Sequence, residues 1–245
     1  MGVARPRRGE KVYESVAREL LRDIRAEGLE VGASLPSEAE MLAKYQVGRA
    51  SLREALRVLE MNGLITIKAG PGGGPTLTGV DSAAFGRMAS LYFHLGGMTI
   101  NELIEARLVI EPVLARLAAE RRDPERLAAL RRAVEHADAA DLGSDADYLA
   151  TSNDLHALVA GMSGNGILNL LGTSLLAIFQ ERVKGILFPP SRRMRVRTAH
   201  AEIAAAIEQG DADRAESLMR EHMLQYGAYA RKRHPALSEE VIDWR

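Results

Sequence analysis

The stretch VGRASLREAL, residues 47–56, decides the reading of the first third of the chain. Arg49 and Arg53, with Arg57 just beyond, stand at i, i+4 and i+8. Leu52, Ala55, Leu56 and Leu59 recur at i, i+3, i+4 and i+7. Residues three and four apart share one side of an α-helix, so the two sets occupy different faces. The spacing predicts a helix from about Arg49 to Met61, with leucines to bury and an arginine row to present. Asn62-Gly63 follows at the place where a left-handed helix end is favoured.

Upstream, KVYESVARELLRDIRAE (11–27) carries Val12, Val16, Leu20 and Ile24 at helical spacing and then meets Gly28. LPSEAEMLAKY comes next. Ser37 with Glu40 three residues on is a capping box, which starts a second helix near Glu38. Gln46-Val47-Gly48 is a tight break before the third helix. Downstream, LITIK alternates and is β-branched, GPGGG is a turn, and PTLT can return as the second strand of a hairpin. Helix, helix, turn, helix and hairpin in about 80 residues is a winged helix–turn–helix, whose third helix is the usual reader of the DNA major groove.

That order gives the arginine row a purpose. The planar guanidinium fork makes two parallel hydrogen bonds to guanine or to phosphate. Ala50 and Ser51 are short enough to let the helix backbone approach DNA closely. Ser37 is counted among the contacts, and Lys68 and Gly70 in the wing are candidates for the phosphate backbone or the minor groove. An arginine row alone would equally suit a solvated αα-hairpin. The full element order with its glycine-rich wing is what favours double-stranded DNA.

The string GASLPSEAEMLAKYQVGRASLREALRVLEMNGLITIKAGPGGG closely resembles the signature of GntR-family transcription regulators, across residues 11–78 without a gap. The resemblance implies operator contacts by Arg49 and Arg53 and by the wing glycine Gly70. Two positions depart from the pattern. Ala39 stands where several relatives have a DNA-contacting arginine. Gly48 replaces the usual Ser or Thr cap, although glycine is an acceptable N-cap.

Bulk properties narrow the classes. The chain has 245 residues, 47% of them apolar and 27% charged, as in an ordinary globular protein. It has no cysteine, which excludes disulfides and thiolate metal sites and fits a reducing cytoplasm. The first ten residues, MGVARPRRGE, lack the apolar core of a signal peptide, and Pro6 sits where myristoylation wants Ser or Thr. No apolar run approaches the roughly 18–20 residues of a membrane span. Residues 1–80 hold 12 Lys+Arg and 10 Asp+Glu, whereas the remainder holds 20 and 23 with all six histidines. The two parts therefore have different chemistry available.

Beyond residue 80, helix signals repeat. A linking helix is expected over 81–98, ended by Gly96-Gly97. Thr99 and Glu102 form a second capping box for a helix through about Arg121. Asp123-Pro124 is an N-cap followed by proline at the first helical position. Further helices are expected over about 145–160, 166–187, 191–209 and 211–234. This predicts a mainly α protein: a winged helix–turn–helix domain (1–80), a linker helix, an antiparallel all-α bundle (99–235) and a tail (236–245).

His156, His200 and His222 fall on three of these helices. Three neutral imidazoles converging inside a bundle would suit Zn²⁺ or Ni²⁺, but spacing leaves open whether they converge. EARLVIEPVLARLAAER, DLHALVAGMSGNGIL and AHAEIAAAIEQGDADRAESLMREHM resemble the effector-binding (FCD-type) domain of the FadR-like branch, over about residues 99–233. The resemblance implies a divalent metal on the three histidines and an effector carboxylate on Arg107. Where relatives often carry a metal-binding carboxylate, this chain has Ser152. Asn153, three residues before His156, is aimed better than Asp154, so Ser152 and Asn153 complete the candidate effector site. The other reading of Arg107 is an i, i+4 pair with Glu111 on a solvated face. SRRMRVR (191–197) has no interleaved aromatics and reads as a solvated helix start.

The whole reads as a cytoplasmic, ligand-responsive regulator that binds DNA as a homodimer on an inverted repeat. A small carboxylic or hydroxy acid would release repression. Two alternatives come from the same residues: a metal-dependent enzyme built on the three histidines, for which no general base is evident, and a DNA-binding dimer indifferent to any effector.

Overall fold

The computed structural model describes residues 9–70, 73–139, 144–183 and 189–244; inside the helices, the side chains of 145–147, 149, 150, 152–154, 183, 190 and 191 are outside that description. The chain divides into two compact units, Met1–Phe85 and Gly86–Arg245.

The first unit follows the order read from the sequence: α1 (Val12–Ala26), α2 (Glu38–Tyr45), α3 (Arg49–Met61), β1 (Ile65–Lys68) and β2 (Gly74–Leu77). Val16, Leu20 and Ile24 of α1 are buried against Met41 and Tyr45 of α2 and Leu52, Leu56 and Leu59 of α3. Burying a Leu or Met side chain fully contributes about 1.5–3 kcal/mol, so this small core depends on each of them. Val12, expected on the same stripe, is 43% exposed at the first turn of α1. Tyr45 donates to Asp23 Oδ2 at 2.7 Å, and Lys44 reaches Asp23 at 3.0 Å and Glu27 at 3.1 Å, tying α2 to α1.

Two chain reversals flank α3. Gln46 ends α2 in the left-handed conformation, φ 54° and ψ 46°. Gly63, at φ 70°, turns the chain from α3 into β1. A Cβ there would fall 2.5 Å from that of Ala84, so both backbone and space require glycine. The strands pair antiparallel with Ile65 opposite Leu77 and Lys68 opposite Gly74. The segment between α1 and α2 also joins this ribbon: Leu35 N donates to Pro75 O, Leu77 N to Ala33 O, and Ser34 bridges Thr76. The base of the wing is thereby clamped by backbone bonds. Its tip, Pro71-Gly72 of the expected turn, lies outside the described residues.

α4 (Ser82–Leu95) begins in the first unit and continues into the second. Then follow α5 (Ile100–Arg121), α6 (Pro124–Ala139), α7 (Asp145–Met162), α8 (Gly166–Val183), α9 (Pro190–Gln209), α10 (Ala212–Arg233) and the short α11 (Pro235–Ser238). α8 was expected to reach Leu187, and 184–188 lie outside the described residues. Caps punctuate the bundle as read: Thr99 accepts from Glu102 N, Asp123 from Arg126 N and Asp211 from Arg214 N. α5 runs through the middle, packed on α7, α8, α9 and α10. Leu114, Ala115 and Ala118 of α5 meet Leu130, Val159, Ile203, Ile207 and Met219 in the main core. Residues after α11 return to the bundle. Ile100 N donates to Glu240 O, Ile242 N to Met98 O, and Ile242 is buried beside Ile100 and Phe179.

Candidate functional site

The first unit presents a polar concave face. α2, α3 and the hairpin surround an open cleft of about 1230 Å³, whose lining includes Ser37, Ala50, Arg53, Arg57, Lys68 and Gly70. Arg49 and Ser51 sit in the first turn of α3, beside this lining. The leucine face of α3 is buried, which turns Arg49, Arg53 and Arg57 to solvent. None of these three, nor Lys68, forms an ion pair with a described residue. An unpaired, exposed guanidinium keeps all its donors for a partner. Glu60 of α3 accepts from Ile67 N at 3.0 Å and joins this helix to the hairpin. Gly48 caps α3 without a side-chain bond, at φ −74° and ψ 156°. Ser37 is the cap of α2. It accepts from Glu40 N, while Glu40 accepts from Ser37 N at 2.8 Å and from its hydroxyl at 2.7 Å. Those bonds hold the Glu40 carboxyl below the usual carboxylate range.

The second unit holds a buried polar cluster. His156 on α7, His200 on α9 and His222 on α10 converge, with one ring nitrogen of each within 4.8 Å of the others. His200 Nε2 and His222 Nε2 are 3.2 Å apart. Zn–N bonds of ~2.0–2.1 Å in a tetrahedron place two donor nitrogens ~3.3 Å apart, so this pair fits one ion. His156 Nδ1 meets Glu111 Oε2, and such a carboxylate fixes the tautomer that leaves Nε2 as a metal donor. Burial pushes His222 down to about 3, with His156 adding to the effect, and burial likewise lowers His200, with His222 and His156 adding to it. Both rings are therefore neutral, as a metal ligand must be.

Arg107 completes the cluster from α5. Its Nε donates to Glu111 Oε1 at 2.6 Å, and its guanidinium carbon lies 4.3 Å from the Phe179 ring centre. Arg107 and Glu111 are 3% and 5% exposed, which removes the reading of a solvated pair. The i, i+4 pair forms, but on the buried face of α5. Burial raises Glu111, but Arg107 and His156 outweigh it and hold the carboxyl at about 2. A buried carboxylate between a guanidinium and an imidazole is a charged assembly kept by mutual pairing.

Glu111 is the functional candidate that sequence reasoning passed over. The signal was present: Ile100, Ile104, Arg107, Glu111, Leu114 and Ala118 follow one another at three- and four-residue steps on the buried face of α5. The SRRMRVR segment, expected as a solvated helix start, likewise turns part of its length inward. Arg193 is 3% exposed and stacks over the Tyr148 ring at 4.9 Å, while Val196 is buried. Arg193, Val196 and His200 lie at i, i+3 and i+7, so this arginine shares the inward stripe of α9. The side chains of Ser152 and Asn153 lie outside the described residues. Among the described residues no helix is long and apolar enough to cross a membrane.

Comparison with known proteins bears on both sites. Residues 12–73 match the model of bacterial regulatory proteins of the gntR family, and residues 102–225 match the FCD domain. The chain is 30% identical over 227 residues to the HTH-type transcriptional repressor NanR of Salmonella newport, covering 89% of this chain and 85% of that one. It is also 30% identical to NanR of Salmonella typhimurium, covering 89% and 84%. Among solved structures, Streptococcus agalactiae GntR superposes with a TM-score of 0.67 at 26% identity, over 88% of this chain and 99% of that one.

Proposed function

The chain belongs to the gntR family of bacterial regulatory proteins with an FCD domain, a DNA-binding transcription regulator rather than an enzyme, and on that premise we propose how its two units divide the work. The first unit binds operator DNA through Arg49, Arg53, Lys68 and Gly70, with Ser37, Ala50 and Ser51 at the contact surface. The second senses a small carboxylic or hydroxy acid in the cytoplasm. The protein acts as a homodimer on an inverted repeat, because two-fold protein symmetry calls for symmetric half-sites. Effector binding alters the placement of the two reading helices, and repression is relieved when they no longer meet both half-sites together. By linkage, operator and effector change each other's affinity by one factor.

The observation that carries this reading is the convergence of three buried histidines beside a buried Arg107–Glu111 pair. His156, His200 and His222 would hold the divalent ion, Zn²⁺ or Ni²⁺, which supplies a positive centre for effector oxygens. Glu111 orients His156. Glu111 Oε1 takes Arg107 Nε and one terminal nitrogen, and a guanidinium has five donors in all. The other terminal nitrogen would take the effector carboxylate. Ser152 and Asn153 belong to the same site as candidates.

Elemental analysis of untagged protein purified without chelator tests the site. The expected result is about one Zn or Ni per chain, lost in His156→Ala. Absence of metal after purification and after reloading would leave Arg107 and histidine hydrogen bonds as the whole recognition set.

A further inference from the structure

We propose that the effector site continues outward from the histidines along the groove between α9 and α10, and that the groove holds a second anionic group of the same ligand. The proposal rests on the effector reading above and deepens it. A cavity of about 280 Å³ lies between these helices, and His222 forms part of its wall. Its volume is just below the usual range of about 300–1,000 Å³ for small-molecule sites, and its mouth is open to solvent. The groove therefore joins the buried cluster to the surface.

Its chemistry is one-sided. Arg192, Arg195, Lys232 and Arg233 line it, and its described lining contains neither Asp nor Glu. Arg195, Lys232 and Arg233 are exposed and have no hydrogen bond or ion pair to a described residue. Arg192 lies 4.6 Å from the Tyr229 ring centre, which holds its guanidinium as a wall. Cations placed together without a carboxylate repel one another, and an anion between them removes that cost. The helices run antiparallel here, since His200 faces His222 while Arg192 faces Tyr229. At 1.5 Å per residue, Tyr229 is ~10 Å and Arg233 ~16 Å along α10 from His222. The ligand this fits is an elongated acid with a chelating head at the histidines and an anionic group at the far end.

Two acids differing only at that end provide the test: 2-hydroxyoctanoate and 2-hydroxyoctanedioate, titrated calorimetrically into metal-loaded, full-length protein. The diacid should bind about tenfold more tightly, the scale of one added charge-assisted contact. Arg195→Ala and Arg233→Ala should reduce that advantage and leave the monoacid unchanged. Equal affinities, an advantage that survives both variants, or no binding by either acid overturns the proposal. His222→Ala separates the two readings. Monoacid binding that requires His222, with no gain for the diacid, ends the groove and keeps the histidine site; a diacid gain that persists in His222→Ala does the reverse. Arg195→Ala should leave ligand-free operator affinity and sedimentation mass unaltered. A change in the first assigns the groove to DNA, a change in the second assigns it to another copy of the chain, and either overturns the proposal.

Discussion

Arg53 in the first unit and Arg107 in the second are the same side chain under opposite conditions. Arg53 is exposed and bonded to no described acid, so its fork stays hydrated and ready to exchange water for a partner, the operator in the function proposed above. Arg107 is 3% exposed, fixed to Glu111 and stacked on Phe179. One arginine is available because nothing in the fold satisfies it. The other is tolerated only because the fold satisfies it almost completely. The difference teaches where mutational cost should appear: in binding for the first unit, in folding for the second.

The sharpest attempt to break that contrast is Glu111→Ala. It leaves Arg107 buried without its carboxylate and frees His156 from its orienting partner. Removing one member of a buried ion pair costs about 3–5 kcal/mol. A domain of this size loses about 2–4 °C of melting temperature per kcal/mol, so thermal unfolding of the bundle should fall by on the order of 10 °C. A shift of a degree or two would mean that Arg107 finds another partner, and the two arginines would then differ less than their burial implies.

Arg53→Ala is the converse. The side chain leaves no cavity and orphans no partner, so stability should change by no more than about 0.5 kcal/mol. Specific operator binding should weaken by about 1–3 kcal/mol, on the order of 10- to 100-fold. Fluorescence anisotropy with an operator duplex, alongside a melting curve, measures both. Unchanged specific binding would show that α3 is not the reader. Raising salt from about 50 to 200 mM should weaken wild-type binding steeply, as phosphate contacts release counterions, and should move the melting temperature of the isolated protein little.

The contrast also explains what could be read from residue order. The first unit was legible almost throughout, because each boundary is marked by a local device: the Ser37–Glu40 box, the Gln46 reversal and Gly63. The bundle helices were legible for the same reason, at Thr99–Glu102, Asp123-Pro124 and Asp211. What escaped depends on distant partners. The Ser34–Thr76 bridge is made by backbone, which leaves no side-chain pattern. The return of Ile242 to Met98 joins segments 144 residues apart. Charged residues on a buried stripe escaped for another reason. A polarity pattern assigns Arg107, Glu111 and Arg193 to the surface, and only the assembled partners reverse that assignment. The convergence of the three histidines likewise needed three helices in register, although the family resemblance anticipated it.

Ser37 tests the smallest effect and sharpens the comparison at a residue with two possible roles. Its hydroxyl caps α2, and it also lines the cleft facing the proposed DNA. Ser37→Ala removes the cap and should cost about 1 kcal/mol of stability, and any loss of operator affinity in that variant is ambiguous. Ser37→Asp resolves it. Aspartate is as good an N-cap as serine and suits the positive end of the helix dipole, although Glu40 is close by and offsets part of that gain. Stability should therefore stay within about 0.5 kcal/mol of wild type. The same substitution sets a negative charge against phosphate, so operator affinity should fall several-fold, more at low salt than at high salt, where screening is stronger. Loss of binding without loss of stability would place Ser37 at the DNA surface with Arg53. Retained binding would leave it as a cap alone and withdraw it from the contact set.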